Sequence, residues 1–418
     1  MLGKGALIYV IGFGLLFSLY ESKLCQLAVE ASSTFNRRYM ETLNHESTMN
    51  AMNIAINHVW DTGLNQGSMT VVMPPCTSAV QIDTIGLDTV RVRVCSRARV
   101  FDKQQYAQNG TTIQLLDSVF AFFAYHTPVS NYFWFVNSEP SNIYWLTGDT
   151  VEGPMHCNGS IRTSGSPVFY GKVTVRLGFS PSPTSRSNHA LYYGGWEVGV
   201  DISLPTDMTH LYDVAVLGNG GADMNTKCLY NQLLTLKFQS NGTVIRTVGG
   251  GTPDTVSLAF IAPNGVIHCT QDIRVEGIVN GEVTLYSADD IWIDNDIVYL
   301  DNPRNNPNCS DFLGLVANDD VIITDNGANN NDVNINASIL AGDQFGAENY
   351  SSRGVAGVLD VVGSIAQNSR GAMGTFNTYT HQITSGFSKR YHFDQRLLTT
   401  SPPHYPYVRA LKLVSWWE

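Results

Sequence analysis

Apolar positions at the start of the chain run together before they begin to alternate. From Leu2 to Tyr20 the only charge is Lys4, in a run that includes Ala6-Leu7-Ile8-Tyr9-Val10-Ile11 and Leu15-Leu16-Phe17. Nineteen helical residues rise about 28 Å, close to the thickness of a bilayer core. The helical spacing then continues through a polar background, at Leu24, Leu27, Ala28, Ala31, Phe35, Met52, Ile56 and Val59. Gly63 follows Thr62 as a helix stop. The pattern predicts one helix of roughly 60 residues and about 90 Å, apolar first and amphipathic later. A cleavable secretory signal needs a shorter apolar core and a small-x-small site, whereas Glu21-Ser22-Lys23 follow here. A plain signal anchor does not require the amphipathic continuation.

Beyond Gly63 the period changes to two. Thr89-Val90-Arg91-Val92-Arg93-Val94-Cys95 reads as a half-buried strand with valines on one face and arginines on the other. Val119–Tyr125 and Tyr132–Phe135 are aromatic enough to be core strands.

The strongest internal signal is a repeat. Gly153-Pro-Met-His156-Cys157 through Ile161-Arg162 to Gly165 matches Gly265-Val-Ile-His268-Cys269 through Ile273-Arg274 to Gly277, on the skeleton G-x-x-H-C-x-x-x-I-R-x-x-G. Each copy is followed by a glycine, a charge and Val-Thr, at Gly171–Thr174 and Gly281–Thr284. Stacked turns about 4.8 Å apart account for such a repeat, and that spacing suits a disulfide. If the two copies are neighbouring turns, Cys157 and Cys269 are placed to bridge. Short strands separated by Gly, Asn and Asp turns continue from Gly277 to Ile365, as in a parallel β-helix.

The predicted fold class is therefore α+β, mainly β: a long N-terminal transmembrane or assembly helix, then a β-rich head containing a parallel β-helix-like solenoid. The domains expected are 1–63 (helix), 64–150 (β-rich connecting subdomain), 151–390 (solenoid head with an insertion at about 176–263) and 391–418 (C-terminal extension).

A net charge of −11, with 25 Lys+Arg against 36 Asp+Glu in 418 residues, argues against a nucleic-acid partner. The seven cysteines form no C-x-x-C pair, so zinc and dithiol redox motifs are absent from the sequence. In an exported chain, Cys76 with Cys95, and Cys157 with Cys269, are the candidate disulfides. Acidic residues gather at Asp289, Asp290, Asp294, Asp296 and Asp301. Asp294 and Asp296 are the candidate oxygen ligands for Ca2+, although no complete EF-type loop is present. His156 and His268 beside the repeat cysteines invite a metal reading, which their shared turn position explains structurally. No G-x-S-x-G elbow supports a hydrolase triad.

Several stretches carry a family resemblance: Tyr144–Thr150, Gly153–His156, Pro167–Thr174, Ser287–Ile293, Gly314–Ala317, Gly371–Phe376, Tyr391–Asp394, Arg396–Leu398 and Pro402-Pro403. Over most of residues 144–406 the chain resembles the head of bacterial type IV prepilin-like proteins, with the tail helix in the matching place. The resemblance implies a non-enzymatic subunit that polymerises through its N-terminal helix into an extracellular filament on the bacterial surface. Its partners would be further copies of itself in a helical homopolymer, the inner membrane before assembly, and a type IV pilus-like assembly machinery. Leu7, Ile8, Ile11, Leu15 and Leu16 would make the subunit contacts, and Gly12 and Gly14 would be sites of local unwinding or of close helix packing. The tail departs from the family where a glutamate is usual at mature position five, since Gly5 stands there. Either Met1 is the mature start or the chain is unprocessed and anchored. The competing expectation is a membrane-anchored β-helical enzyme or lectin acting on surface polysaccharide.

Overall fold

A computed structural model describes residues 2–62, 66–85, 89–101, 112–306, 308–377 and 382–417. At 45% strand and 21% helix the chain is mainly β behind a long N-terminal helix. It divides into two compact units, Met1–His126 with Leu411–Glu418, and Thr127–Ala410.

In the first unit, helix α1 (Leu2–Thr62) runs without a break for 61 residues. Gly63, the expected stop, lies outside the described residues. The last third of α1 packs on an antiparallel sheet ordered Gly67–Met73, Cys76–Ile85, Thr89–Phe101 and Thr112–Pro128, with Tyr407–Trp417 at the far edge. Met52, Ala55 and Val59 recur every three or four residues and, with Ala51, are fully buried against Val90, Val92, Val94, Val119 and Phe123. Alternation in Thr89–Cys95 sends the valines inward and leaves the arginines on the outer face.

The second unit is built from parallel strands that stack turn upon turn. One stack runs Leu229–Tyr230, Val266–Cys269, Glu282–Ser287, Phe312–Ala317, the second half of Val333–Ala341, the second half of Val355–Ser369, Trp134–Ser138, Met155–Cys157, Val173–Val175 and Trp196–Val198. A second stack joins Leu234–Phe238, Ile273–Val279, Ile291–Tyr299, Val321–Ile323 and Phe345–Ala347. A third joins the first halves of Val333–Ala341 and Val355–Ser369 to Ile383–Phe393. Like residues lie over like residues, as in the column Ile267, Leu285, Leu315, Ile339, Ile365, Trp134, Met155, Val173. All eight of these side chains are at most 2% exposed and fill the interior.

Two features of this stacking depart from the expected order. Trp134–Ser138, read above as part of a connecting subdomain, is a turn of the head. The turns made first in sequence, 134–198, also do not precede those made later. They sit beyond the last one, with Trp134 against Ile365 and Phe135 against Ala366. Asn137 Nδ2 donates to Asn368 Oδ1 at 3.1 Å and the Arg370 N–H donates to the Ser138 carbonyl at 3.1 Å across this seam. Arg370 and Glu139, 4% and 6% exposed, also pair across it at 3.4 Å.

One terminal turn is continued by the antiparallel hairpin Thr243–Val248/Asp254–Ser257 on Leu234–Phe238. The opposite terminal turn is floored by Phe179, Tyr192 and Trp196, whose rings meet at 5.5 and 5.9 Å. Outside the first stack, helix α2 (Thr209–Asn219) and residues 402–408 supply a second apolar layer, with Leu211, Ala215, Tyr405 and Val408 on Val266, Val316 and Leu340.

Candidate functional site

The tail of α1 leaves its apolar surface open. Leu7, Ile8, Ile11, Leu15 and Leu16 are 54–71% exposed, and so are Tyr9, Val10, Phe13, Phe17, Leu19 and Tyr20 to a similar degree. A helix that is apolar on all sides is stable in water only when something covers it. Gly12 and Gly14 have open space around them. The apolar stripe expected further along at Leu24, Leu27 and Phe35 is 48–68% exposed as well. Packing within the chain begins with Met40 and Leu43, which lie on Cys76, Ala98 and Leu115. Residues 5–39 of the helix, a rise of about 52 Å, are exposed apart from the half-buried Gly12 and Ser33. By length and composition the helix can cross a membrane, with a mean hydropathy of 1.5 over its most apolar window.

Where α1 meets its sheet, polar side chains join the apolar ones. Asn44 Oδ1 accepts from Ser96 Oγ at 2.7 Å, Ser47 and Ser78 share a hydrogen bond at 3.0 Å, and Thr48 Oγ1 donates to the Asn44 carbonyl at 2.8 Å. These three helix residues are at most 3% exposed. Apolar periodicity alone passes over them, yet they continue the same face one turn toward the N-terminus.

None of the expected disulfides forms, for two different reasons. Cys76 points to the buried face of its strand, whereas Cys95 pairs with Ala79 on the outer face, so the thiols diverge. Cys157 and Cys269 do occupy the same column, but Ser287, Ala317, Ala341, Gln367 and Val136 lie between them. At about 4.8 Å per turn, six steps separate them by roughly 29 Å. Both are fully buried, and burial pushes their thiols up to about 12 and about 11, which keeps them protonated and inert.

His156 and His268 also share one column and are equally far apart. His156 Nε2 lies 2.8 Å from Asn158 Oδ1 and its Nδ1 2.8 Å from Thr174 Oγ1, so both ring nitrogens are engaged. His268 packs between Tyr212 and Tyr286. Burial lowers the pKa of both imidazoles.

The candidate calcium ligands are otherwise committed. Asp294 receives Arg274 through both carboxylate oxygens, at 2.5 and 2.8 Å, and Thr324 Oγ1 at 2.8 Å. Asp296 accepts from the Asn334 N–H at 2.8 Å. Two other acidic groups come together instead, Asp272/Asp289/Asp290 and Asp319/Asp320/Asp343, each with carboxylates within 4.8 Å of one another. Their structural work is visible in the turns. Asp272 accepts from the Asp290 N–H, Asp290 from the Asp320 N–H and Asp320 from the Gln344 N–H, at 3.3, 2.9 and 2.8 Å. Each of these side chains precedes the first inward residue of a second-stack strand, as in Asp272-Ile273, Asp290-Ile291 and Asp320-Val321. That recurrent Asp-Ile/Val step is the sequence signal for the ladder. Burial, and after it the fields of neighbouring aspartates, raise the Asp290 and Asp320 carboxyls above their ordinary range.

A cavity of about 260 Å³ opens among Trp145, Asp149, Thr150, Val358, Ser388, Lys389, Arg390 and Tyr391. No protein-family model matches this chain, and no curated protein or solved structure matches it.

Proposed function

We propose that the chain is a structural subunit of an extracellular, type IV pilus-like filament that polymerises through α1. The stacked unit would be a parallel β-solenoid head displayed on the filament surface. One observation carries this reading: α1 is apolar on every side from Leu7 to Tyr20, while its last third is fixed to a sheet of its own chain. An anchor needs only enough length to cross a bilayer. Here residues 24–39 add sixteen further residues with exposed Leu24, Leu27, Phe35 and Tyr39, a surface suited to copies of the same helix. The subunit would reside in the membrane through the same segment before it is assembled. A purely anchored β-helical enzyme or lectin would tolerate exchange of the tail for an unrelated anchor.

Ile11→Asp tests the two readings. The variant is expected to keep the near-ultraviolet dichroism and thermal transition of the head and to yield no filaments in material sheared from the cell surface. Filaments of normal abundance from this variant, viewed by electron microscopy, would sink the helix-packed reading.

A further inference from the structure

The sheet of the first unit has α1 on one face only. Strand register maps the other face. Arg91, Arg93, Arg97 and Arg99 share it, all from Thr89–Phe101, whose valines point the opposite way to the helix. Arg91 lies opposite Asp83 on one neighbouring strand, and Arg93 and Arg97 lie opposite Phe120 and Leu116 on the other. Leu116 is 70% exposed, as open as the residues of the free tail. Asp83 is the one acid on this face among the described residues, and Arg91 holds it at 2.8 Å. The Arg93 guanidinium lies 5.8 Å from the Phe120 ring centre. No ion pair among the described residues engages Arg93, Arg97 or Arg99. Between the arginine rows the short side chains of Ser68, Ala79 and Cys95 leave a hollow of about 570 Å³, bordered by Arg93 and Gln81.

Arg97 and Arg99 are exposed and solvated, so the face is stable as it stands. Its distinction is composition. Protein interfaces concentrate arginine and aromatic side chains, and the planar guanidinium meets a carboxylate through two parallel hydrogen bonds. The distribution of charge then indicates the partner. The first unit holds ten Lys+Arg and ten Asp+Glu, whereas Thr127–Ala410 holds fifteen against 26, so the whole net charge of −11 belongs to the second unit. Asp213, Asp223, Asp289 and Asp319 are exposed there, and no ion pair among the described residues uses them. One chain therefore carries a basic face on one unit and an acidic surface on the other.

We propose that the arginine face of the sheet docks the acidic second unit of a neighbouring copy of this chain. Arg93, Arg97 and Arg99 receive carboxylates, while Leu116 and Phe120 supply apolar contact beside them. Two different surfaces of the same chain meet in such a contact, so it is head-to-tail and can propagate from copy to copy. It is separate from the packing of α1 and does not require it. Exposed charges are screened within about 10 Å at 0.1 M salt, so the contact weakens as salt rises.

The test is sedimentation velocity on the full chain in non-ionic detergent, with micelles in excess over protein so that the tails are kept apart. The parent is expected to self-associate at about 50 mM salt and to weaken at least tenfold at about 500 mM. Combining Arg93→Gln, Arg97→Gln and Arg99→Gln should weaken association at least tenfold. Ala79→Glu, which sets a carboxylate among the arginines at an exposed position, should do the same while removing none of them. Ile11→Asp should leave association as in the parent. A parent that stays monomeric at low salt overturns the proposal, as does association indifferent to salt or unchanged in either sheet variant. Association lost in Ile11→Asp assigns the contact to the tails and overturns it as well. The reading of α1 is judged separately, by filaments on cells, so neither failure stands for the other.

Discussion

At Glu139 and Arg370 two opposite charges are withdrawn from water at the seam of the head, held by each other, by Trp145 Nε1 and by the faces of Trp134 and Trp145. Removing one member leaves the other buried and uncompensated, a change that costs about 3–5 kcal/mol. Arg370→Met is therefore expected to destabilise the head by that amount in denaturant melts, and Glu139→Leu added to it should recover most of the loss. A single variant as stable as the parent would mean that water reaches the pair. Protonation works on the same scale. His156 and His268 have pKa values lowered by burial, so the unfolded chain binds their protons more readily than the folded one. Their contribution is complete above the ordinary histidine value of about 6.5 and shrinks as pH falls below it. Asp290 and Asp320 act in the opposite sense, since raised carboxyls favour the folded state at low pH. A His156→Gln variant should lose part of the parent's fall in melting temperature between pH 7 and pH 5. An unchanged slope would remove His156 as a cause.

Among the elements, turns impose the tightest requirements. A Cβ added at Gly171 would lie 2.0 Å from the Gly153 carbonyl oxygen, and one added at Gly194 would lie 2.2 Å from the Gly171 carbonyl carbon. Successive corners nest backbone on backbone, so there is no room for a side chain. Gly171→Ala is expected to cost on the order of 3 kcal/mol, read as a lower denaturation midpoint with an unchanged slope. Gly153 and Gly171 were visible in the sequence as parts of the repeat, though their reason is steric contact between turns. In α1, the three- and four-residue rhythm at Met52 and Val59 identifies the buried face, because apolar burial alone dictates it. Asn44, Ser47 and Thr48 escape that reading, since a polar residue gives no sign in sequence of whether the partner sheet will satisfy it.

At the scale of the whole chain, a long helix ahead of a β-rich body is legible from periodicity. The order of stacking is not. The match of His156-Cys157 with His268-Cys269 correctly marks a common column. A repeat records an equivalent environment rather than adjacency, so it says nothing of the six steps between the copies. True neighbours such as Trp134 and Ile365 share no motif, because any well-packed apolar pair satisfies an interior position. The free surface of α1 was easier to anticipate, since an apolar run cannot be left in water, and it places self-association first among the properties to measure.

The seam has a temporal consequence. A ribosome delivers residues 134–198 well before residue 365, so the outer edge of the Trp134 strand must wait some 230 residues for its neighbour. During that interval a row of backbone donors and acceptors and the Trp134 side chain are available to any other nascent strand. Closing a loop of this length also slows the final step of folding. Shortened chains that end before Val355 should accumulate as aggregates in vivo, and chaperone dependence should ease abruptly once the last turn is long enough to cover Trp134.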